Sequence, residues 1–229
     1  METIKKIVLM CMFFIVNYIA GQNKNELTKE KEAFLIGMFN HFSGDLYIPE
    51  HPVLKNRLTF FLGGKQEMLK IFKESISLYA EETGFKYSFQ QNDFLELYNL
   101  SSFNPFEKYY KIVDQNQFYD DSKNDKEYKV YSLVLNKSAF KENKVKLAFL
   151  VGAFLNSGKS VSDNELFYRG NPKYIDFVTR LLKDMKFSII KIESPKKETA
   201  GALKTIFFKP TDEFKQILKN YNAMLTPKY

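Results

Sequence analysis

The chain contains 229 residues, of which 45% are hydrophobic and 16% aromatic, with 23 Phe, 14 Tyr and no Trp. So many apolar side chains are enough for one large core or two small ones, and they exclude a chain that is disordered throughout. The formal charge of +7 is compatible with an anionic partner, such as nucleic acid or an acidic glycan, but it does not require one.

The first 21 residues have the pattern of a secretory signal peptide. A pair of lysines precedes an almost wholly apolar run that ends at Ala20, and polar residues follow from Gln22. A membrane anchor needs about 20 apolar residues, whereas this run is shorter and contains Asn17. We therefore predict cleavage near Ala20 to Gln22, a secreted or periplasmic protein, and a mature chain without a stable membrane span. The single cysteine, Cys11, would be removed, so the mature fold would have no disulfide.

In the first half, apolar periodicity and chain-breaking residues predict alternating helices and strands. The predicted elements are a helix over 27–41, strands over 45–48 and 57–62, a helix over 66–82, strands over 85–89 and 94–98, and a helix over 105–113. Thr28 is suited to cap the first helix and Gly84 to end the second. The polar stretch that starts at Asp114 predicts a linker, with an additional strand over 130–135.

After residue 144 a similar order of elements returns. The predicted elements are a helix over 145–156, a short apolar run over 166–168, a helix over 173–186, strands over 189–192 and 203–208, and a helix over 212–224. Asn171, which precedes a proline, and Thr211 are typical of helix starts. A second strand for the first hairpin of this half is the hardest element to identify.

A short motif indicates a duplication. The sequence AFLIGMF at residues 33–39 recurs as AFLVGAF at residues 148–154, 115 positions later. We therefore predict an α+β protein made of two pseudo-repeats of helix-hairpin-helix-hairpin-helix type. The predicted division is a signal peptide over 1–21, a first repeat over 22–113, a linker over 114–143 and a second repeat over 144–229.

The helix sequence FLVGAFLNSG, at residues 149–158, and this order of elements resemble the LAGLIDADG homing-endonuclease fold in its two-repeat form and the related WhiA domain. The resemblance extends over residues 29–225. It implies that the two opening helices pack together and that a saddle of strands from both halves lies on DNA. Gly37 and Gly152 would then allow the two helix backbones to approach closely.

The same resemblance implies an acidic residue at the foot of each opening helix, where divalent metals activate water. The matching positions are Phe42 or Ser43 in the first half and Ser157 in the second, and none of these can be an anionic ligand. A LAGLIDADG-like fold without its catalytic acids predicts no nuclease activity and no metal. The chain is also similar to uncharacterised secreted bacterial proteins with a Gly-Ala-aromatic helix in their second half, which implies no particular activity.

Two further motifs are weak. Residues 152–160 end in Gly-Lys-Ser, but five residues separate the two glycines and continue a helix, unlike a phosphate-binding loop. One short stretch supplies nitrogen and oxygen atoms that could bind Zn²⁺, from His41, Asp45, Glu50 and His51. Their spacing matches no standard zinc pattern, so we predict solvated polar residues, no metal and no cofactor.

Enzymatic chemistry has few candidate residues. The sequence has no Gly-x-Ser-x-Gly motif, and the mature chain would lack a cysteine nucleophile. A hydrolase that uses two carboxylates stays open, because Asp and Glu are abundant. Glu96 is the carboxylate most closely flanked by apolar residues, and strand alternation places it on the face opposite Leu95 and Leu97.

The exposed sides of the strands are the predicted binding surface. The strand over 203–209 carries large apolar groups on both faces, so it is either covered on both faces or meets a partner. The candidate residues of a basic, aromatic surface are Arg57, Lys86, Tyr168, Arg169, Lys191 and Lys204. A solvated strand face is the simpler interpretation of the same residues.

These observations favour an exported, non-catalytic binding or interaction protein, whose partner is an unknown protein, glycan or small molecule. Nucleic acid is not an expected partner if the protein is exported. The first alternative is a degenerate LAGLIDADG-like nucleic-acid-binding protein, in which the leader is a buried or anchoring helix. The second alternative is a secreted hydrolase that depends on carboxylates.

Overall fold

The structure is a computed structural model, and it describes residues 24–39, 45–61, 66–91, 94–122, 124–195 and 202–225. In chain order, the helices and strands are α1 (Lys24–Met38), β1 (Asp45–Tyr47), β2 (Arg57–Phe61), α2 (Gln66–Thr83), β3 (Tyr87–Gln91), β4 (Leu95–Asn99), β5 (Tyr110–Asp121), β6 (Lys126–Leu135), α3 (Asn143–Ser157), β7 (Gly158–Ser162), β8 (Glu165–Gly170), α4 (Pro172–Asp184), β9 (Ser188–Glu193), β10 (Lys204–Lys209) and α5 (Asp212–Leu225). The prediction of a mixed α+β fold is confirmed. No helix within the described ranges has the length and apolar character needed to cross a bilayer.

The central helices α1 and α3 pack against each other. Each is buried around its whole circumference, over residues 33–38 in α1 and 147–153 in α3, as expected of helix segments that are apolar on every side. These are the segments that contain the duplicated motif. The sequence of each helix therefore suits it to the centre of the molecule rather than to its surface.

The contact between α1 and α3 requires two glycines. A Cβ atom on Gly37 would lie 2.2 Å from the carbonyl oxygen of Phe149, and one on Gly152 would lie 2.1 Å from the carbonyl oxygen of Phe34. The same separation of 115 positions relates the two glycines and the two phenylalanines, so the contacts are reciprocal. Reciprocal contacts are the mark of a two-fold axis, and they are consistent with the predicted pair of repeats.

Each half contributes an antiparallel sheet that packs on helices. The strand order is β2-β4-β3 in the first sheet and β7-β8-β10-β9 in the second. In the first sheet, Phe61 and Phe89 contact Phe72 of α2, with ring centroids 4.7 and 6.2 Å apart. In the second sheet, Tyr168 and Phe208 stack with centroids 5.2 Å apart on the side that faces the helices. One face of each sheet therefore packs on the helices.

The end of the first half differs from the prediction. Only Glu107–Tyr109 is helical, as a short 3₁₀ turn, where a helix over 105–113 was expected. The predicted linker over 114–143 contains most of a long hairpin, β5 and β6, and β1 pairs with β6 instead of β2. The β-branched and aromatic residues of β5 explain why a strand forms here in place of the predicted helix and linker, because they favour an extended chain. Most of β5 is exposed, so no apolar stripe marks it in the sequence.

Strand β5 contains one irregularity. The register with β6 shifts between Asp114 and Gln117, and Asn116 adopts φ of 50°. The backbone N–H of Asn116 donates a hydrogen bond to Asp114 Oδ1 at 2.9 Å. These features are those of a β-bulge, here with two residues, Gln115 and Asn116, outside the regular pairing.

His51 connects the β5–β6 hairpin to the loop between β1 and β2. Its Nδ1 accepts hydrogen bonds from the backbone N–H groups of Val53 and Leu54, at 3.1 and 3.0 Å. The proton therefore lies on Nε2, which is 3.3 Å from Asp121 Oδ2. His51 is buried, with its ring centroid 4.9 Å from that of Tyr128. The expectation that His51 is a solvated residue is wrong, whereas His41 lies outside the described residues.

Replacing His51 by alanine is expected to loosen the end of the hairpin. The change leaves Asp121 and two backbone N–H groups without their imidazole partner, which we expect to cost about 2 kcal/mol of unfolding free energy. Hydrogen exchange should become faster at residues 118–130 and stay unchanged in α4. His51→Asn is the matched control, because its amide oxygen can still accept from Val53 and Leu54. Equal exchange in the parent and His51→Ala would contradict this role.

Glu32 of α1 is a buried carboxylate that joins three parts of the first half. Oε1 accepts a hydrogen bond from the Tyr79 hydroxyl and Oε2 accepts one from the Tyr109 hydroxyl, both at 3.0 Å. Lys108 Nζ lies 2.6 Å from Oε2 and supplies the opposite charge. Burial, and then the negative charge of Glu32, raise the pKa of Tyr79 and of Tyr109 well above the ordinary value of 10.0.

Candidate functional site

The outer face of the second sheet follows from the alternation of side chains along β8. Leu166 and Tyr168 are buried against the helices, at 5% and 0% exposure. Strand geometry therefore directs Glu165, Phe167 and Arg169 to the opposite face. Phe167 is half-buried and Arg169 is exposed there. This face is the part of the sheet that a partner can reach.

One row of side chains crosses all four strands on that outer face. Phe167 of β8 pairs with Lys159 of β7 on one side and with Phe207 of β10 on the other, and Phe207 pairs with Lys191 of β9. The two phenylalanine rings have centroids 5.3 Å apart. Lys191 Nζ lies 4.2 Å from the centroid of the Phe207 ring, within the range of a cation–π contact. Two aromatic rings therefore form the centre of the row and two lysines form its ends.

The charge of this outer face is mainly positive. The next row pairs Arg169 with Thr205 and Thr205 with Glu193, and Lys209 follows Phe207 by two positions on β10. The charged residues of the face are Lys159, Arg169, Lys191 and Lys209 against Glu165 and Glu193. Lys191 Nζ is 2.7 Å from Glu193 Oε1, but both side chains are about half exposed, so the pair contributes little to stability. An anionic partner could compete for this lysine.

The first sheet is different, because both faces of its central strand β4 are buried and its charges are paired. Arg57 Nη1 is 2.9 Å from Glu96 Oε1, and the Tyr98 hydroxyl donates to Glu96 Oε2 at 3.0 Å. Burial, and then this hydrogen bond, raise the pKa of Tyr98 to about 12. The Arg57 guanidinium also lies 5.4 Å from the centroid of the Phe60 ring. Glu96 therefore balances the charge of Arg57 within the sheet.

The six residues predicted for a binding surface are not all together. Arg169 and Lys191 lie on the outer face of the second sheet, as expected. Arg57 lies in the first sheet, and the exposed Lys86 precedes β3, where its backbone N–H donates to Ser101 Oγ at 2.8 Å. A role of these four residues in binding stays a prediction.

Two of the predicted surface residues lie on the covered side of the second sheet. Tyr168 is fully buried, and its hydroxyl donates to the carbonyl oxygen of Leu150 at 2.8 Å, so placing it on an exposed surface was wrong. Burial raises its pKa well above the ordinary value. Lys204 alternates with the outward Thr205, and its Nζ lies 2.6 Å from Asp176 Oδ1 of α4. Lys204 therefore joins the sheet to a helix and does not extend the outer face.

Sequence reasoning missed Lys159, Phe167 and Phe207 as members of this face. Lys159 lies in β7, whose polar sequence GKSVS contains no alternation of large apolar residues. Phe167 and Phe207 were recognisable as strand residues. Only the pairing of β8 with β10 places the two rings side by side.

A cavity of about 200 Å³ lies between the end of α1, β2 and the loop that follows β4. Its charged lining residues are Lys55, Arg57 and Glu107. The hydrolase alternative expects two acidic side chains in one pocket, and Glu107 is the single acid in this lining. Burial, and then the charge of Glu107, raise the pKa of Tyr47 in the same cavity.

The foot of α3 carries neutral side chains that are already bonded. Asn156 Nδ2 donates to the carbonyl oxygen of Phe39 at 2.9 Å. Ser157 Oγ donates to the carbonyl oxygen of Ala153 at 3.0 Å and lies 3.3 Å from the Tyr174 hydroxyl. The corresponding foot of α1, which includes Phe42 and Ser43, lies outside the described residues. Neither Asn156 nor Ser157 has a carboxylate, so these two residues at the foot of α3 offer no anionic ligand for a metal.

Comparisons with known proteins identify similar folds without a sequence relationship. No family model matches the chain, and no curated protein matches it. Mesophilic variants of the homing endonuclease I-DmoI are 12% identical with a TM-score of 0.47, over 86% of this chain and 97% of that one. I-DmoI in complex with its nicked target DNA is 12% identical with a TM-score of 0.48, over 85% and 97%. Full-length WhiA from Thermatoga maritima is 13% identical with a TM-score of 0.43, over 94% and 64%.

These neighbours confirm the predicted resemblance to the LAGLIDADG homing-endonuclease and WhiA folds. They contradict two other predictions, namely an exported, non-catalytic binding or interaction protein and the expectation that nucleic acid is not a partner. The predicted signal peptide over 1–21 lies outside the described residues, and its cleavage stays a prediction.

Proposed function

We propose that this protein binds nucleic acid through the outer face of its second sheet. The observation that carries the proposal is the row Lys159, Phe167, Phe207 and Lys191, which combines positive charge with aromatic rings on the uncovered side of four strands. Arg169 and Lys209 add two further positive charges beside this row. The formal charge of the chain, +7, also favours an anionic partner.

Long-range charge and local contacts would have separate roles in this binding. Lysine and arginine side chains neutralise phosphates and release the counterions that surround nucleic acid, so affinity falls as salt rises. These contacts orient the partner without reading its sequence. I-DmoI, which shares the fold, has been solved in complex with its target DNA, and this supports the choice of partner. We propose binding rather than cleavage, because Asn156 and Ser157 at the foot of α3 are neutral.

Replacing three basic residues of the outer face is expected to abolish most of the binding. In Lys159→Gln/Arg169→Gln/Lys191→Gln, affinity for mixed-sequence oligonucleotides should fall at least about tenfold at low salt, since three phosphate contacts are lost. The slope of log K against log salt concentration should decrease by about 2. Fluorescence anisotropy with duplex and single-stranded oligonucleotides over a range of salt concentrations measures both quantities.

The matched control removes the same charge elsewhere. Lys144, Lys183 and Lys219 are exposed on α3, α4 and α5, the helices of the second half. Replacing all three by Gln should lower the affinity much less than the triple replacement on the outer face does. Equal losses in both triple variants would mean that net charge alone attracts the oligonucleotide. Salt-independent binding, or no binding by the parent protein, would overturn the proposal.

A further inference from the structure

We infer that the outer face of the second sheet binds single-stranded nucleic acid, with unpaired bases stacked on Phe167 and Phe207. This inference rests on the proposed function and adds the class of partner. It follows from the position, the exposure and the chemistry of the two rings.

The two rings occupy the centre of the sheet. Phe167 lies on β8 and Phe207 on β10, which are the inner strands in the order β7-β8-β10-β9. The rings face each other across the strand pair, with centroids 5.3 Å apart and an angle of 37° between their planes. Large apolar residues that face outward at the middle of a sheet are costly to expose, so they indicate a contact surface.

One face of the Phe207 ring is reached by a side chain from the solvent. Its ammonium group lies 4.2 Å from the centroid of Phe207, while the lysine side chain itself is 52% exposed. A group in contact with solvent therefore reaches the face of this ring. A nucleobase could take the same position, and the displaced ammonium could move to a phosphate on the same strand. Aromatic rings bind bases by stacking in this way, and each stacked base raises the affinity about tenfold.

The chemistry of phenylalanine distinguishes a single strand from a duplex. Phenylalanine has no hydrogen-bonding group for a phosphate or for a base edge in a groove. In a duplex the faces of the bases are already covered by their neighbours, whereas unpaired bases have free faces that can stack on a protein ring. The centre of this surface therefore suits unpaired bases, and Lys159 and Lys191 at the ends of the row suit the backbone.

The test compares two partners and two substitutions. The probes are a mixed-sequence single strand of about 12 nucleotides and the duplex of the same sequence, each with a fluorescent label. We expect the parent protein to bind the single strand about tenfold more tightly than the duplex. Phe167→Leu and Phe207→Leu keep an apolar side chain but remove the ring, so each should weaken single-strand binding about tenfold and duplex binding much less.

The control is Phe118→Leu, which changes an exposed phenylalanine of the β5–β6 hairpin and should alter neither affinity. Thermal unfolding of each variant shows whether it is folded, and if one of the two ring variants is unfolded the other decides. Equal or tighter duplex binding, with no effect of either ring variant, would overturn the inference and leave the proposed function intact. Absence of salt-dependent binding to both probes would overturn both.

Discussion

Gly37→Ala is expected to lower the free energy of unfolding by about 3 kcal/mol, and Gly152→Ala should have a similar effect. The added methyl groups would lie 2.2 Å from the Phe149 carbonyl oxygen and 2.1 Å from the Phe34 carbonyl oxygen. Both obstacles are backbone atoms, so no side chain can rotate away and the helices α1 and α3 must separate. This cost outweighs the gain in helix propensity from glycine to alanine, which is about 1 kcal/mol. Urea denaturation measures the change.

The double variant and a control glycine sharpen this test. Once one alanine has pushed the helices apart, the second finds more room, so the double variant should lose less than the sum of the single losses. Gly84 has a φ of 74° and open space around its position, so Gly84→Ala should cost only about 1 kcal/mol, from backbone strain. A Gly37→Ala variant as stable as the parent would show that α1 and α3 are farther apart than described.

Above pH 10 the protein is expected to lose stability steeply. Tyr79, Tyr98, Tyr109 and Tyr168 are buried, and the pKa of each is raised in the folded state from the ordinary value of 10.0. In the unfolded chain these hydroxyls ionise near pH 10, so the folded state then holds more protons and the free energy of unfolding falls as pH rises. Each tyrosine contributes about 1.4 kcal/mol per pH unit.

The pH range of this loss is set by the folded-state pKa values. The stabilisation is complete below pH 10 and decreases above it, and for Tyr98 the decrease ends near its folded pKa of about 12. Urea denaturation at intervals from pH 9 to pH 11.5 measures the slope. Tyr79→Phe should reduce the slope by about 1.4 kcal/mol per pH unit, because one ionising group is removed. A free energy of unfolding that stays constant across this range would contradict the burial of these hydroxyls.

The centre of the fold could be predicted from sequence because its signal is local and strong. The repeated motif is apolar on all sides, and a glycine in the middle of each copy indicates a close backbone contact. The structure places both glycines in that contact. Helices α2, α4 and α5 were also predicted at nearly their observed positions, since each carries a regular apolar stripe.

The candidate site was harder to predict because the sequence does not show which face of a strand is covered. Lys204 was expected on the binding surface, but it shares with Ile206 and Phe208 the face of β10 that lies against the helices. For β8 the apolar run 166–168 is too short to show which of its residues face the core, so Tyr168 was placed on the exposed side. Lys159 was missed altogether because β7 is an exposed, polar strand.

The irregularity at Asn116 has a consequence for self-association. β5 is the edge of its sheet, and a long exposed edge offers free N–H and C=O groups along which another chain could add as a further strand. The shift in register and the positive φ interrupt that array half-way along the strand. A second molecule could therefore match only short segments on either side, which protects the protein from growing into filaments through its own hairpin.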